Sequence, residues 1–167
     1  MGREEIPLDA ELVRGLLSRQ FPKWAQLPLE FVARGTVNAM FRLGDNMLVR
    51  LPFIAGGGEG IDLEAAWLPR LAGRLNAPIP ELLGVGEPDE AYPSSWLVVS
   101  WLPGDPAVPG STQNPDALAR DLAGFLLSLR DVDTTDAQPG YRTGPLVELD
   151  ASVRECAEQV HDLVDVA

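Results

Sequence analysis

Leu12, Val13, Leu16 and Leu17 recur at helical spacing and give one apolar face that runs to about Gln20. Asp9 stands before them as a natural cap, and Phe21-Pro22 ends the run. The pattern then changes to short extended segments. Leu29 to Ala33 alternates and stops at Arg34-Gly35; Ala39 to Leu43 and Met47 to Leu51 follow, separated by Gly44-Asp45-Asn46. Those three residues tolerate positive φ, so they read as a hairpin turn. Three strands in a meander are expected. The glycines from Gly56 to Gly60 read as a flexible connector, followed by a helix over about Asp62 to Leu75. Leu63, Trp67, Leu68 and Leu71 would share one side of it, and Pro69 should kink or split it. Leu82 to Gly86 and Trp96 to Trp101 read as a fourth and a fifth strand. A turn-rich stretch from Leu102 to Pro115 precedes a long amphipathic helix, Pro115 to Arg130, striped by Leu118, Leu122, Phe125, Leu126 and Leu129. After a polar loop, Leu149, Val153, Val160 and Leu163 suggest a last helix. The fold class is α+β: a five-stranded antiparallel sheet with one crossing helix, then the start of a helical part.

Composition narrows the function more than the fold. With 46% hydrophobic and 23% charged residues in 167, the chain can build a core. Its longest apolar runs are too short to span a bilayer, and the acidic N-terminus lacks a secretory h-region. Met1-Gly2 lacks the Ser or Thr at position 6 that myristoylation would want. A cytoplasmic protein is expected. A net charge of −12 argues against nucleic acid as a partner and suits small cationic ligands. Cys156 and His161 are single, so neither an intramolecular disulfide nor a Cys/His zinc site can be built within the chain. Lys23 is the sole lysine; a cation needed inside the fold must almost always be arginine.

Several segments carry a resemblance when taken in order: Gly35-Thr36-Val37-Asn38, Phe41 to Asp45, Leu48 to Pro52, Leu63 to Leu71, Pro78 to Gly86 and Trp96 to Gly104. Over about residues 25 to 110 the chain resembles the N-terminal lobe of the aminoglycoside phosphotransferase family, a branch of the protein-kinase-like fold. The resemblance implies a nucleotide-binding N-lobe over 1–102, a hinge and linker over 103–114, and the first helices of a C-lobe over 115–167. It implies ATP or GTP with Mg2+ as cofactor and a small cationic acceptor such as an aminoglycoside. Gly35, Thr36 and Asn38 would lie over the nucleotide phosphates. Arg50 would face the α- and β-phosphates, where protein kinases carry Lys. Glu64 would orient Arg50, and Ser100, Trp101 and Leu102 would form the hinge that reads the base through backbone groups. Each has a plainer reading beside it: a simple turn, an arginine on an alternating strand, a first-turn acid complementing the helix dipole, the end of a fifth strand.

Three other features carry less. The Gly56 to Gly60 run lacks the Lys-Ser/Thr of a phosphate cradle. His161-Asp162 lacks the spacing of the kinase catalytic pair, and Cys156 has no nucleophile signature. The family pattern continues with a His-x-Asp loop, an Asn and a metal-binding Asp that do not follow within these 167 residues. No catalytic or metal residue is therefore assigned, and the chain alone is expected to be inactive. The alternatives are a non-catalytic nucleotide-binding or scaffold protein, or part of a kinase for a macrolide, choline or amino-acid derivative. The apolar stripe after Pro115 also raises self-association.

Overall fold

Alternation and turn chemistry set the sheet. In the computed structural model, which describes residues 5–54, 56–104, 108, 114–137 and 146–160, three strands form a meander: β1 (Leu29–Arg34), β2 (Asn38–Leu43) and β3 (Met47–Pro52). β4 (Leu82–Gly86) and β5 (Trp96–Ser100) complete an antiparallel sheet in the order β1-β2-β3-β5-β4. The helices are α1 (Ala10–Gln20), α2 (Gly58–Leu71), α3 (Pro115–Arg130) and α4 (Leu146–Val160), with a 3-10 turn over Pro22–Trp24. The chain divides into two compact units, Met1–Val132 and Asp133–Ala167. The α+β architecture with a five-stranded sheet is the one expected from the pattern.

Strand alternation sends two sets of side chains to opposite faces. On one face Phe41, Leu43, Val49, Leu51, Trp96 and Val98 pack against Val13, Leu16 and Leu17 of α1. Asp9 caps α1 by accepting from the Leu12 N–H at 2.8 Å. Trp96 lies flat on β4 because residue 86 is glycine: a Cβ there would stand 1.9 Å from the indole ring. The Tyr92 hydroxyl donates to the Pro52 carbonyl at 2.6 Å and ties the β4–β5 connection to the end of β3. On the other face the core is smaller. Ile61 and Leu68 of α2 cover Leu97 and Val99, with Leu48, Ala65, Ile79 and Leu82 at the margin.

The second helix departs from expectation. It begins at Gly58, four residues before the predicted Asp62, and ends at Leu71 rather than Leu75. Gly58, Glu59 and Gly60 are helical, so the glycine run is only in part a connector. Poor helix propensity is overridden by packing of Ile61 into the sheet, and glycine is needed at the preceding residue 57, where a Cβ would meet the Pro52 Cβ at 2.7 Å. Pro69 does not split the helix: it forgoes its own bond back to Ala65, but only two helical residues follow it, so the break falls at the helix end. The buried stripe is Ile61 and Leu68, while Leu63 is exposed. The fifth strand ends one residue early, at Ser100.

α3 has the predicted bounds and is capped by the Asn114 side chain, which accepts from the Ala117 N–H at 2.9 Å. None of its residues is buried; Leu122 and Leu126 are 54% and 63% exposed. α4 carries an internal Arg154–Asp150 ion pair, and Cys156 on it is exposed. Met1-Gly2, His161-Asp162, Leu163 and most of the turn-rich stretch before Pro115 lie outside the described residues. Among the described residues, no helix is long and apolar enough to cross a membrane.

Candidate functional site

The hairpin register decides which side chains share a face with Arg50. Gly44-Asp45-Asn46 closes β2 on β3 so that Met40 pairs with Arg50 and Arg42 with Leu48; β5 continues these rows with Leu97 and Val99. Val49 and Leu51 point into the core under α1, so Leu48 and Arg50 point to the α2 face. Met40, Arg42, Leu48 and Arg50 are all half-buried there. Along the strands the row of Asn38 and Pro52 lies at one end of the sheet and that of Met47 and Ser100 at the other, Met47 itself pointing to the α1 face. Five residues at the usual strand rise separate them by about 17 Å.

Arg50 and Glu64 meet. Arg50 Nη1 donates to Glu64 Oε1, and the two side chains keep only 27% and 24% of their surface in solvent. Glu64 is the seventh residue of α2, not a residue that opens the helix. The helix-dipole reading therefore loses its basis, since that effect fades beyond the first turn. Arg50 Nε is buried and has no hydrogen-bond partner. An unpartnered buried donor on a guanidinium costs stability unless a ligand satisfies it.

The turn between β1 and β2 is held on both sides. Gly35 N–H donates to the Asn38 carbonyl at 2.8 Å, and Phe53 N–H donates to the Val37 carbonyl at 2.9 Å. Gly35 has negative φ, and a Cβ added there would meet nothing closer than 3.6 Å. The turn itself therefore does not require glycine. Thr36 is exposed at its tip. Asn38 turns inward, and its Oδ1 is buried without a partner. At the opposite end, Ser100 accepts through Oγ from the Glu81 N–H at 2.8 Å and donates its own N–H to the Glu81 carbonyl at 2.9 Å. Trp101 N–H donates to the Asn46 carbonyl at 2.8 Å, and Leu102 is exposed.

Thus Arg50 and Glu64 touch, the Gly35 to Asn38 turn lies at one end of the strands, and Ser100 to Leu102 follow β5 at the other end. Met40, Arg42 and Leu48 belong to the same surface and were not singled out from the sequence. Their signal was available: residue 48 lies two before Arg50 on one strand, and the Gly44-Asp45-Asn46 turn fixes 40 and 42 opposite. Among the described residues, no group of three or more His, Cys, Asp or Glu side chains could hold a metal ion. What the surface offers is a guanidinium with a spare donor, a turn with room above it and an apolar sheet face, a set that fits an anionic head on a flat organic body.

A cavity of about 460 Å³ opens beside the end of α2, lined by Leu71, Asn76, Pro78, Ile79, Glu81, Ser100 and Leu102 among others. It does not include Arg50. Near α1, Asp89 accepts from Arg19 at 2.9 Å and from the Ala91 and Tyr92 N–H groups. Burial pushes its carboxyl up, but these donors outweigh that and hold it below the usual value. Burial pushes the Tyr92 phenol well above its ordinary range.

Known proteins place the chain. It superposes on the GDP complex of wild-type aminoglycoside 2′-phosphotransferase-IIIa with a TM-score of 0.74 at 20% identity, over 95% of this chain and 53% of that one. The GDP and kanamycin complex of APH(2″)-IIIa gives 0.71 at 20% identity, over 92% and 52%. The gentamicin complex of APH(2″)-IIa gives 0.63 at 18%, over 96% and 54%. At such identities the likeness is one of fold, and the chain spans about half the length of these structures. No curated protein sequence matches the chain. The sequence profile of the phosphotransferase enzyme family (APH) matches residues 28–166. That match takes in most of the chain and every element from β1 onward, and the chain belongs to the phosphotransferase enzyme family.

Proposed function

We propose that this chain supplies the nucleotide-binding side of an ATP- or GTP-dependent phosphotransferase. The observation that carries the reading is Arg50: a half-buried guanidinium, fixed through Nη1 by Glu64, with a buried Nε that has no partner. Phosphoryl transfer depends on positioning and charge neutralisation. Arg50 would grip the α- and β-phosphates, and the Gly35 to Asn38 turn would cover them with Thr36 and Asn38 as polar contacts. Leu48 and Met40 would meet the base, with Ser100 to Leu102 along its edge. Mg2+, when bound, would neutralise the transferred charge; the residues described here supply phosphate contacts and not a metal site of their own.

The acceptor we propose is the hydroxyl of an aminoglycoside or a similar cationic compound. The net charge of −12 supports it, as do the kanamycin and gentamicin bound to proteins of the same fold. Such an enzyme would work in the cytosol, where nucleoside triphosphates are held. The exposed leucines of α3 favour contact with a second copy of the chain, and sedimentation of Leu126→Glu against the parent protein tests that.

Nucleotide binding is the direct test of the main reading. Fluorescent GTP and ATP analogues should bind the 167-residue chain. Arg50→Ala should weaken binding about 10- to 100-fold, the usual worth of a hydrogen bond to a charged group. Equal affinity in parent and variant would remove Arg50 from the site and the reading with it.

A further inference from the structure

The segment after β5 offers few backbone donors. Ser100 N–H is bonded to the Glu81 carbonyl and Trp101 N–H to the Asn46 carbonyl. Residue 103 is proline and has no N–H. Among residues 100–103, the Leu102 N–H is the one that makes no hydrogen bond. What fixes its direction is therefore what fixes Trp101.

Trp101 is held twice by the β2–β3 hairpin. Its N–H reaches Asn46 in the turn, and the Arg42 guanidinium lies over its indole ring, 4.8 Å from the ring centroid. Arg42 is tied down in turn, donating through Nη2 to the Asp45 carbonyl at 3.1 Å. Arg42 shares the sheet face of Leu48 and Arg50, so one side chain joins the proposed nucleotide surface to the start of the hinge. Glu30, its cross-strand neighbour on β1, forms no ion pair with it.

We propose that Arg42 is a positioning residue for purine recognition: stacked on Trp101 and anchored to Asp45, it holds the Leu102 N–H in line for a ring-nitrogen or carbonyl acceptor on the edge of a purine. The inference rests on the nucleotide-binding reading and deepens it, because it separates recognition of the base from recognition of the phosphates. Arg50 serves the phosphates. Arg42 acts through Trp101 and the backbone on the base alone.

Two probes read the two halves: a fluorescent purine nucleoside triphosphate, and inorganic tripolyphosphate competing with it. In Arg42→Ala the purine nucleotide should bind about five- to tenfold more weakly relative to tripolyphosphate, the scale of a cation–π contact and a misaligned hydrogen bond. Arg42→Lys keeps the charge but not the planar stack, and should recover only part of the ratio. Trp101→Leu should reproduce the Arg42→Ala ratio, and the double variant should be no worse than either single one, as expected for two groups that act as one device. Equal weakening of both probes in Arg42→Ala would mean that Arg42 contributes only field, and would overturn the proposal. A parent protein that binds tripolyphosphate and shows no preference for the purine nucleotide would overturn it too. A parent protein that binds neither probe would remove the nucleotide-binding reading itself.

Discussion

The two faces of the sheet are built to different standards. Under α1, twelve buried residues form one cluster with Trp96, Tyr92 and Phe41 at its centre, and nine more apolar residues close its margin. Under α2, four buried residues form the cluster, and the polar groups beside it include Arg50 Nε and Asn38 Oδ1, both buried and unpartnered. Buried polar groups are nearly always satisfied in folded proteins. The α1 side leaves one such atom, Trp96 Nε1, inside a large apolar cluster, whereas the α2 side leaves two beside a small one, and under the proposed function a ligand would complete them. The lesson is one of division: one sheet carries its larger core on one side and a smaller core with the Arg50–Glu64 pair on the other.

The comparison can be broken by variants that respect or violate that division. Leu16→Ala opens a cavity in the closed face and should cost about 2–5 kcal/mol, read by denaturant unfolding. Nucleotide affinity of the folded fraction should not change; a parallel loss of affinity would show that the two faces are not separable. Glu64→Gln keeps an acceptor for Arg50 but removes the charge of the pair, and should do the reverse. Nucleotide affinity should fall about tenfold, equal to about 1.4 kcal/mol, while stability falls by less than that. A larger loss in unfolding than in binding would make the pair a structural brace.

Tyr92→Phe should cost about 0.5–1.5 kcal/mol at neutral pH, since the Pro52 carbonyl loses its donor. Its pH dependence has a fixed sign. The folded-state pKa of Tyr92 is raised, so its contribution is fully present below the unfolded value of about 10 and is lost as pH rises above it. The parent should lose stability in strong alkali more steeply than the variant. Asp89→Asn should give the smallest effect, less than about 1 kcal/mol, because the Arg19 contact is partly exposed. The folded pKa of Asp89 is lowered, so its contribution is present above the unfolded value of about 3.9 and fades as pH falls through the folded value. Acid titration of unfolding should show a shallower slope for the variant.

The closed face was largely legible in the sequence. Leu12 to Leu17 at helical spacing, alternation in the strands and the Gly44-Asp45-Asn46 turn determine it, because local pattern and final packing agree there. The open face was legible in part. Arg50 and Glu64 could be singled out, but not that Glu64 sits seven residues into its helix. Gly58 and Gly60 are weak helix formers, and the helix there is anchored by burial of Ile61 and by the tight fit of Gly57 against Pro52, which the local pattern does not announce. The Arg42–Trp101 stack was not legible, since it joins residues 59 apart through the register of three strands. Nor could the sequence show which polar atoms lack partners, a property of the packed state alone.

The fit of Gly57 against Pro52 makes the start of α2 a fulcrum. The helix is seated on the end of β3 at that point, and Glu64 rides seven residues out along it, a lever arm of about 10 Å at the helical rise. A tilt of about 20° about the fulcrum carries the Glu64 carboxylate some 3–4 Å, more than the reach of a hydrogen bond. By that geometry the angle of α2 at Gly57 decides whether Glu64 reaches Arg50, as it does in this structure. The sequence at 57 sets the gearing between α2 and the sheet as much as the two charged residues do.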